Sequence, residues 1–156
     1  MISRKNEGLL KKLFEIEIPE ITSGIIEIKS VAREAGSRAK VAVYSAVPNI
    51  DTVGACIGQR GARIKNIVDE LNGERIDIVE WKPVVEEFVS AVLSPAVVSN
   101  VTILEDGTAR VLVAPSQLSL AIGKNGQNAR LAARLTGMRV DIKVIDNETL
   151  KEEENE

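Results

Sequence analysis

Apolar positions along this chain recur with a helical period, then a strand period, and the whole order runs twice. Leu9, Leu10, Leu13 and Phe14 fall on one side of residues 5–16, the spacing of an amphipathic helix. Pro19 and Gly24 end it. Ile26 and Ile28 then alternate with Glu27 and Lys29, and Val41 and Val43 alternate with Lys40, Ala42 and Tyr44. This predicts two strands joined by a loop from Arg33 to Arg38. Asn49-Ile50-Asp51 offers an N-cap for a short helix from Thr52 to Ile57. Ile64, Ile67, Val68 and Leu71 stand at i, i+3, i+4 and i+7 and predict a second amphipathic helix, which Gly73 stops. Ile76 and Ile78 face one way from a closing strand.

The order then repeats. Val84 to Leu93 reads as a helix entered at Pro83, since proline is tolerated in a first turn. Val101 and Ile103 predict a strand, Asp106-Gly107 a tight hairpin, and Val111 and Val113 its partner. Ser116 is the expected cap of a short helix up to Ile122; another helix follows, and a strand from Met138 to Val144 closes the unit. Each half thus reads helix, strand, strand, helix, helix, strand.

At the same place in each half stands one short pattern, Ile57-Gly58-Gln59-Arg60-Gly61 and Ile122-Gly123-Lys124-Asn125-Gly126, 65 residues apart. A lone Gly-x-x-Gly is weak, for with 11 glycines in 156 residues about one match arises by chance. Context gives it weight. The first copy leads to Leu71-Asn72-Gly73 and Ile76-Asp77-Ile78, the second to Leu135-Thr136-Gly137 and Val140-Asp141-Ile142. A long-period repeat of this kind means a duplicated structural unit. The expected division is a first domain over 1–81 with its lead helix, a second over 82–145, and an acidic flexible tail over 146–156. Each unit would be marginal alone, and only Trp81, Lys82 and Pro83 join them, so a rigid joint is expected.

Composition narrows the functions. No apolar run approaches the ~20 residues of a membrane span, and the first 18 residues hold no secretory signal. One cysteine excludes an internal disulfide framework and suits a reducing cytoplasm. Histidine is absent, which removes the commonest general base and metal ligand. Neither a catalytic group, a metal site nor a cofactor is expected. Gly54-x-x-x-Gly58-x-x-Gly61 is not a dinucleotide fingerprint, and Gly123-Lys124 lacks the rest of a P-loop. Cys56 stands among apolar neighbours and reads as a small core residue.

The net charge of −3 conceals a local excess of cations. Residues 145–156 carry −5, so the remainder carries +2, and residues 107–140 contain no acid while holding Arg110, Lys124, Arg130, Arg134 and Arg139. Such a patch binds phosphates whatever the sign of the whole chain. Glycines in the turn let a sugar-phosphate backbone approach and leave φ > 0 free. The helix behind it aims N–H groups and a positive dipole end at phosphates. Gln59, Arg60, Lys124 and Asn125 would donate to phosphate oxygens. Arg63 and Lys65 would extend the first track, and Gln127, Asn128, Arg130 and Arg134 the second; each also has a plainer reading as a solvated surface group. Ile57 and Ile122 suit an aliphatic groove for bases, while Ile64 reads better as core. No aromatic residue lies beside either turn, which disfavours a stacking platform.

The runs Val53 to Arg63 and Asn72 to Trp81 resemble the first KH domain of the bacterial NusA family. Gln117 to Ala132, with Leu135-Thr136-Gly137, resembles the second. Leu13-Phe14-Glu15, Pro19-Glu20-Ile21 and Arg33 to Ser45 are also similar, and the likeness runs nearly to Val144. It implies an α+β chain of two tandem type II KH domains that bind single-stranded RNA, the nascent transcript. It further implies work with transcribing RNA polymerase in pausing, termination and antitermination. The chain departs from the family pattern in showing neither the N-terminal polymerase-binding domain nor the S1 domain, so direct polymerase contact does not carry over. A cytoplasmic monomer is expected. The competing reading is a KH scaffold that docks proteins through residues 5–16 or the acidic tail.

Overall fold

A computed structural model describes residues 2–145, with side chains from residue 8 onward; the expected acidic tail over 146–156 lies outside the described residues. The chain divides into two compact units, Met1–Pro83 and Val84–Glu156. Both are α+β and follow the predicted order of elements.

In the first unit α1 (Ile2–Glu17) and the single turn α2 (Pro19–Thr22) precede β1 (Glu27–Glu34) and β2 (Arg38–Tyr44). Then come α3 (Thr52–Ile57), α4 (Ala62–Glu70) and β3 (Arg75–Glu80). The sheet order is β1-β2-β3, with β1 antiparallel and β3 parallel to the central β2. Ala39, Val41 and Val43 alternate along β2 and pack with Leu10 and Phe14 of α1 and Ile67 of α4. That is the predicted marriage of a period-2 strand with 3.6-period helices. Asp51 caps α3 as expected, its Oδ1 accepting from Gly54 N at 3.0 Å.

Arg33 and Arg38, whose roles the sequence leaves open, belong to the fold. Arg33 donates from Nε and Nη2 to Glu74 at 2.8 and 2.9 Å, and Gly36 N adds a third bond to the same carboxylate at 2.8 Å. Register places Lys40 opposite Asp77. Asp77 Oδ2 accepts from Lys40 Nζ at 3.0 Å and from Arg38, with Arg75 Nε at 3.4 Å from its other oxygen. Lys40 is wholly buried. Burial lowers its pKa to about 8 against the opposing pull of Asp77.

The second unit comprises α5 (Val85–Val92), β4 (Asn100–Ile103), β5 (Ala109–Val113), α6 (Leu118–Ile122), α7 (Gln127–Thr136) and β6 (Val140–Val144). Its sheet repeats the first, β4 antiparallel and β6 parallel to β5. Two expectations need correction. Ser116 does not cap α6: it sits inside a 3-10 turn, Pro115–Gln117, which proline starts early, and α6 begins at Leu118 without a side-chain cap. The last strand begins at Val140 rather than Met138, because Met138 N turns back to Ala133 O at 3.2 Å to close α7.

Candidate nucleic-acid interface

Each Gly-x-x-Gly segment joins two helices through a 3-10 turn, and the two turns share one backbone. Gly58 has φ 81, ψ 171 and Gly123 has φ 79, ψ 169. Arg60 (φ 56, ψ 26) matches Asn125 (φ 57, ψ 26), and Gly61 (φ 73, ψ 16) matches Gly126 (φ 76, ψ 11). Both turns are closed alike, Gly61 N to Gly58 O and Gly126 N to Gly123 O, each at 3.1 Å. The N–H of the next residue also folds inward, Ala62 to Gln59 O and Gln127 to Lys124 O. Fewer helix-start N–H groups are therefore available for phosphates than the sequence suggests, and donation falls more to side chains.

The two glycines of a turn do different work. A Cβ on Gly58 would lie 2.7 Å from Arg63 Cγ and 3.0 Å from Arg63 N, and one on Gly123 would lie 2.7 Å from Asn128 N. On Gly61 and Gly126 the nearest atoms are 3.9 and 3.7 Å away. The first glycine lets the following helix pack against the turn; the second supplies a left-handed residue.

Gln59, Arg60, Lys124 and Asn125 are exposed at the tips, as are Lys65 on α4 and Arg130 and Arg134 on α7. Gln127 is half-buried. Arg130 Nη1 donates to Asn125 O at 3.0 Å, so it buttresses the second turn as well as facing solvent. Ile57 and Ile122 keep 36 % and 38 % of their surface in solvent, enough to offer an apolar lip beside each turn. Ile64 packs against the core. Beside the first turn is a depression lined by Gly54, Ala55, Gly58, Gln59, Ala62 and Arg63.

Two of the expected contact residues take other partners. Asn128 is wholly buried, and its Nδ2 donates to Ala121 O at 2.9 Å and Leu93 O at 3.0 Å. Its side chain is therefore not a surface donor; a short amide close to two helix ends is drawn inside to satisfy their carbonyls. Arg63 is half-buried, with Nη1 bonded to Glu20 Oε1 at 2.9 Å and Ala55 O at 2.8 Å. Nothing in the sequence marks Glu20, 43 residues away, as part of this site.

Residues 4–81 match the NusA-like first KH domain, and residues 85–150 match the NusA-like second KH domain. The chain belongs to the NusA-like KH family. It is 56 % identical over 144 residues to the transcription termination/antitermination protein NusA of Halalkalibacterium halodurans, a match covering 92 % of this chain and 38 % of that protein. The same-named protein of Mycobacterium tuberculosis is 52 % identical over 144 residues (91 % of this chain, 42 % of that one). That of Thermus thermophilus is 46 % identical over 153 residues (97 % and 40 %). The chain thus spans about two fifths of the length of these relatives. Among solved structures, the crystal structure of APE1850 matches with a TM-score of 0.64 at 22 % identity, covering 88 % of this chain and 98 % of that one, a likeness of fold. KH modules hold about four nucleotides of a single strand at the Gly-x-x-Gly loop without needing aromatic stacking. Both KH domains here carry that loop in one conformation. No helix among the described residues is long and apolar enough to cross a membrane.

Proposed function

We propose that this chain binds single-stranded RNA, without catalysis, through one Gly-x-x-Gly clamp in each KH domain. The observation that carries it is the identity of the two loop backbones, each ending in exposed polar or cationic tips and flanked by an exposed isoleucine. Gln59 and Arg60 in the first loop and Lys124 and Asn125 in the second donate to phosphates. Lys65 extends the first basic track, and Arg130 and Arg134 the second, with Gln127 at the start of α7, while bases lie over the apolar lip of each domain. Together the clamps cover about eight nucleotides, at about four per module. By its relatives' names, the setting is termination and antitermination of transcription; the nascent transcript as the RNA, and the polymerase elongation complex as the wider assembly, belong to this proposal and not to those names.

The test is fluorescence anisotropy of a labelled, A-rich RNA of about ten nucleotides at several salt concentrations. If about four to five phosphates are neutralised, log affinity falls against log salt with a slope near −3. Arg60→Asp with Lys124→Asp keeps all four loop glycines and should abolish binding. Salt-sensitive binding that survives this variant moves the site to another basic surface, and a flat salt response removes the electrostatic basis of the reading.

A further inference from the structure

We infer that Arg63 and Asn128 are equivalent positioning residues that hold the two loops ready for RNA, and that Glu20 belongs to the first clamp as the ionic partner of Arg63. The inference rests on the RNA-binding reading above. Both residues stand five places after the first glycine of their loops, where the missing Cβ lets their stems or backbone lie against that glycine. Both then reach back to the helix before the loop. Arg63 Nη1 donates to Ala55 O in the last turn of α3, at 2.8 Å, and Asn128 Nδ2 donates to Ala121 O in the last turn of α6, at 2.9 Å. Carbonyls at a helix end have no intrahelical donor, and these side chains supply one.

Each residue also ties the helix–turn–helix to a third element. In the first domain it is α2, through Glu20 Oε1 at 2.9 Å and Oε2 at 3.2 Å. In the second it is the end of α5, through Leu93 O at 3.0 Å. One loop is therefore fixed by charge and the other by a neutral amide. The ionic tie is open to solvent, with Arg63 and Glu20 side chains 31 % and 30 % exposed, whereas Asn128 is wholly buried. Mobile ions screen the first tie and leave the second unaffected. A loop held in its binding geometry loses less freedom when RNA arrives, so the first clamp should weaken with salt more than its phosphate contacts alone require.

Glu20→Gln separates this role from direct contact by the sign of its effect. The substitution preserves shape and removes a negative charge near the first clamp. If Arg63 were a phosphate ligand held back by Glu20, freeing it would tighten RNA binding. If the pair positions the loop, binding weakens by about two- to fivefold, the range of a partly exposed ion pair. The deficit should shrink as salt rises from about 50 to about 300 mM, because salt already screens the wild-type pair. Without RNA, amide hydrogen exchange at residues 59–61 should quicken while that of β2 does not. Arg63→Lys keeps the charge, but its side chain is one atom too short to put a donor where Nη1 meets both Glu20 and Ala55 O, and it should reproduce the defect. Tighter binding in Glu20→Gln, or affinity and loop exchange both unchanged, overturns the positioning role. Wild-type protein that binds no RNA overturns the RNA-binding reading itself. Wild-type protein that binds, fails on Arg60→Asp with Lys124→Asp, yet tightens on Glu20→Gln overturns the positioning role alone.

Discussion

Alanine at the first and at the second glycine of one loop should have unequal effects, and the structure sets the size of the gap. Gly123 has φ 79 and ψ 169, a region populated essentially by glycine alone. A side chain there costs about 1–3 kcal/mol in backbone conformation. Its Cβ would also lie 2.7 Å from Asn128 N and 2.8 Å from Asn128 Cβ, both in the first turn of α7. That contact has no flexible side-chain end to yield. Relief requires α7 to shift, which pulls Asn128 from the Ala121 carbonyl and leaves that buried acceptor unpaired at about 1–3 kcal/mol, while Leu93 O keeps its bond from Ala96 N at 3.0 Å. Gly126 has φ 76 and ψ 11, with only Arg130 Nη1 at 3.7 Å from an added Cβ. Alanine there meets only the left-handed conformational cost, about 1–2 kcal/mol. Gly123→Ala should therefore destabilise by roughly 2 kcal/mol more than Gly126→Ala. Urea unfolding of the full chain, followed by far-UV circular dichroism, measures both. Equal losses, or a larger loss at Gly126, would refute the assignment of helix packing to the first glycine and backbone freedom to the second.

Other outcomes follow from single residues. Arg60→Asn should stabilise the first domain by about 1 kcal/mol, since asparagine tolerates the left-handed region better and the second loop holds Asn125 at almost the same φ and ψ; RNA affinity should fall, with the salt slope shallower by about 0.7. Lys40, lowered from 10.5 to about 8 chiefly by burial, binds its proton less readily folded than unfolded. Between those two values the unfolded chain holds more protons, so this group makes stability rise with pH across that window. The urea midpoint should thus increase from about pH 8 to about pH 9 in the wild type, below the range where the raised Cys56 thiol acts in the opposite sense, a rise that Lys40→Met removes. Burial pushes the Cys56 thiol up to about 11, with Glu20 adding to the shift; iodoacetamide at about pH 8 should leave it unmodified in the folded chain and label it in urea.

What the sequence determined by itself was conformational and local. Period-2 and period-3.6 apolar spacing is a property of neighbouring residues, so the order of elements, Asp51 as a cap and Gly73 as a helix stop were all legible. The repeat revealed both turns because Gly58 and Gly123 take a φ and ψ that essentially only glycine adopts, a constraint the residue type itself carries. Ser116 failed on a local competition that its spacing did not express, proline starting a 3-10 turn ahead of the helix. The partners of the polar side chains were decided only by the tertiary structure. Asn128 resembles a surface donor until the end of α5 brings Leu93 O to it, 35 residues away in the chain. Arg63 reads as a phosphate contact until α2 delivers Glu20. Arg33 and Arg38 remain open until β3 brings Glu74 and Asp77 beside them. Backbone conformation is biased within a few residues, but whether a charged or amide group faces water or a buried partner depends on which distant element folds over it.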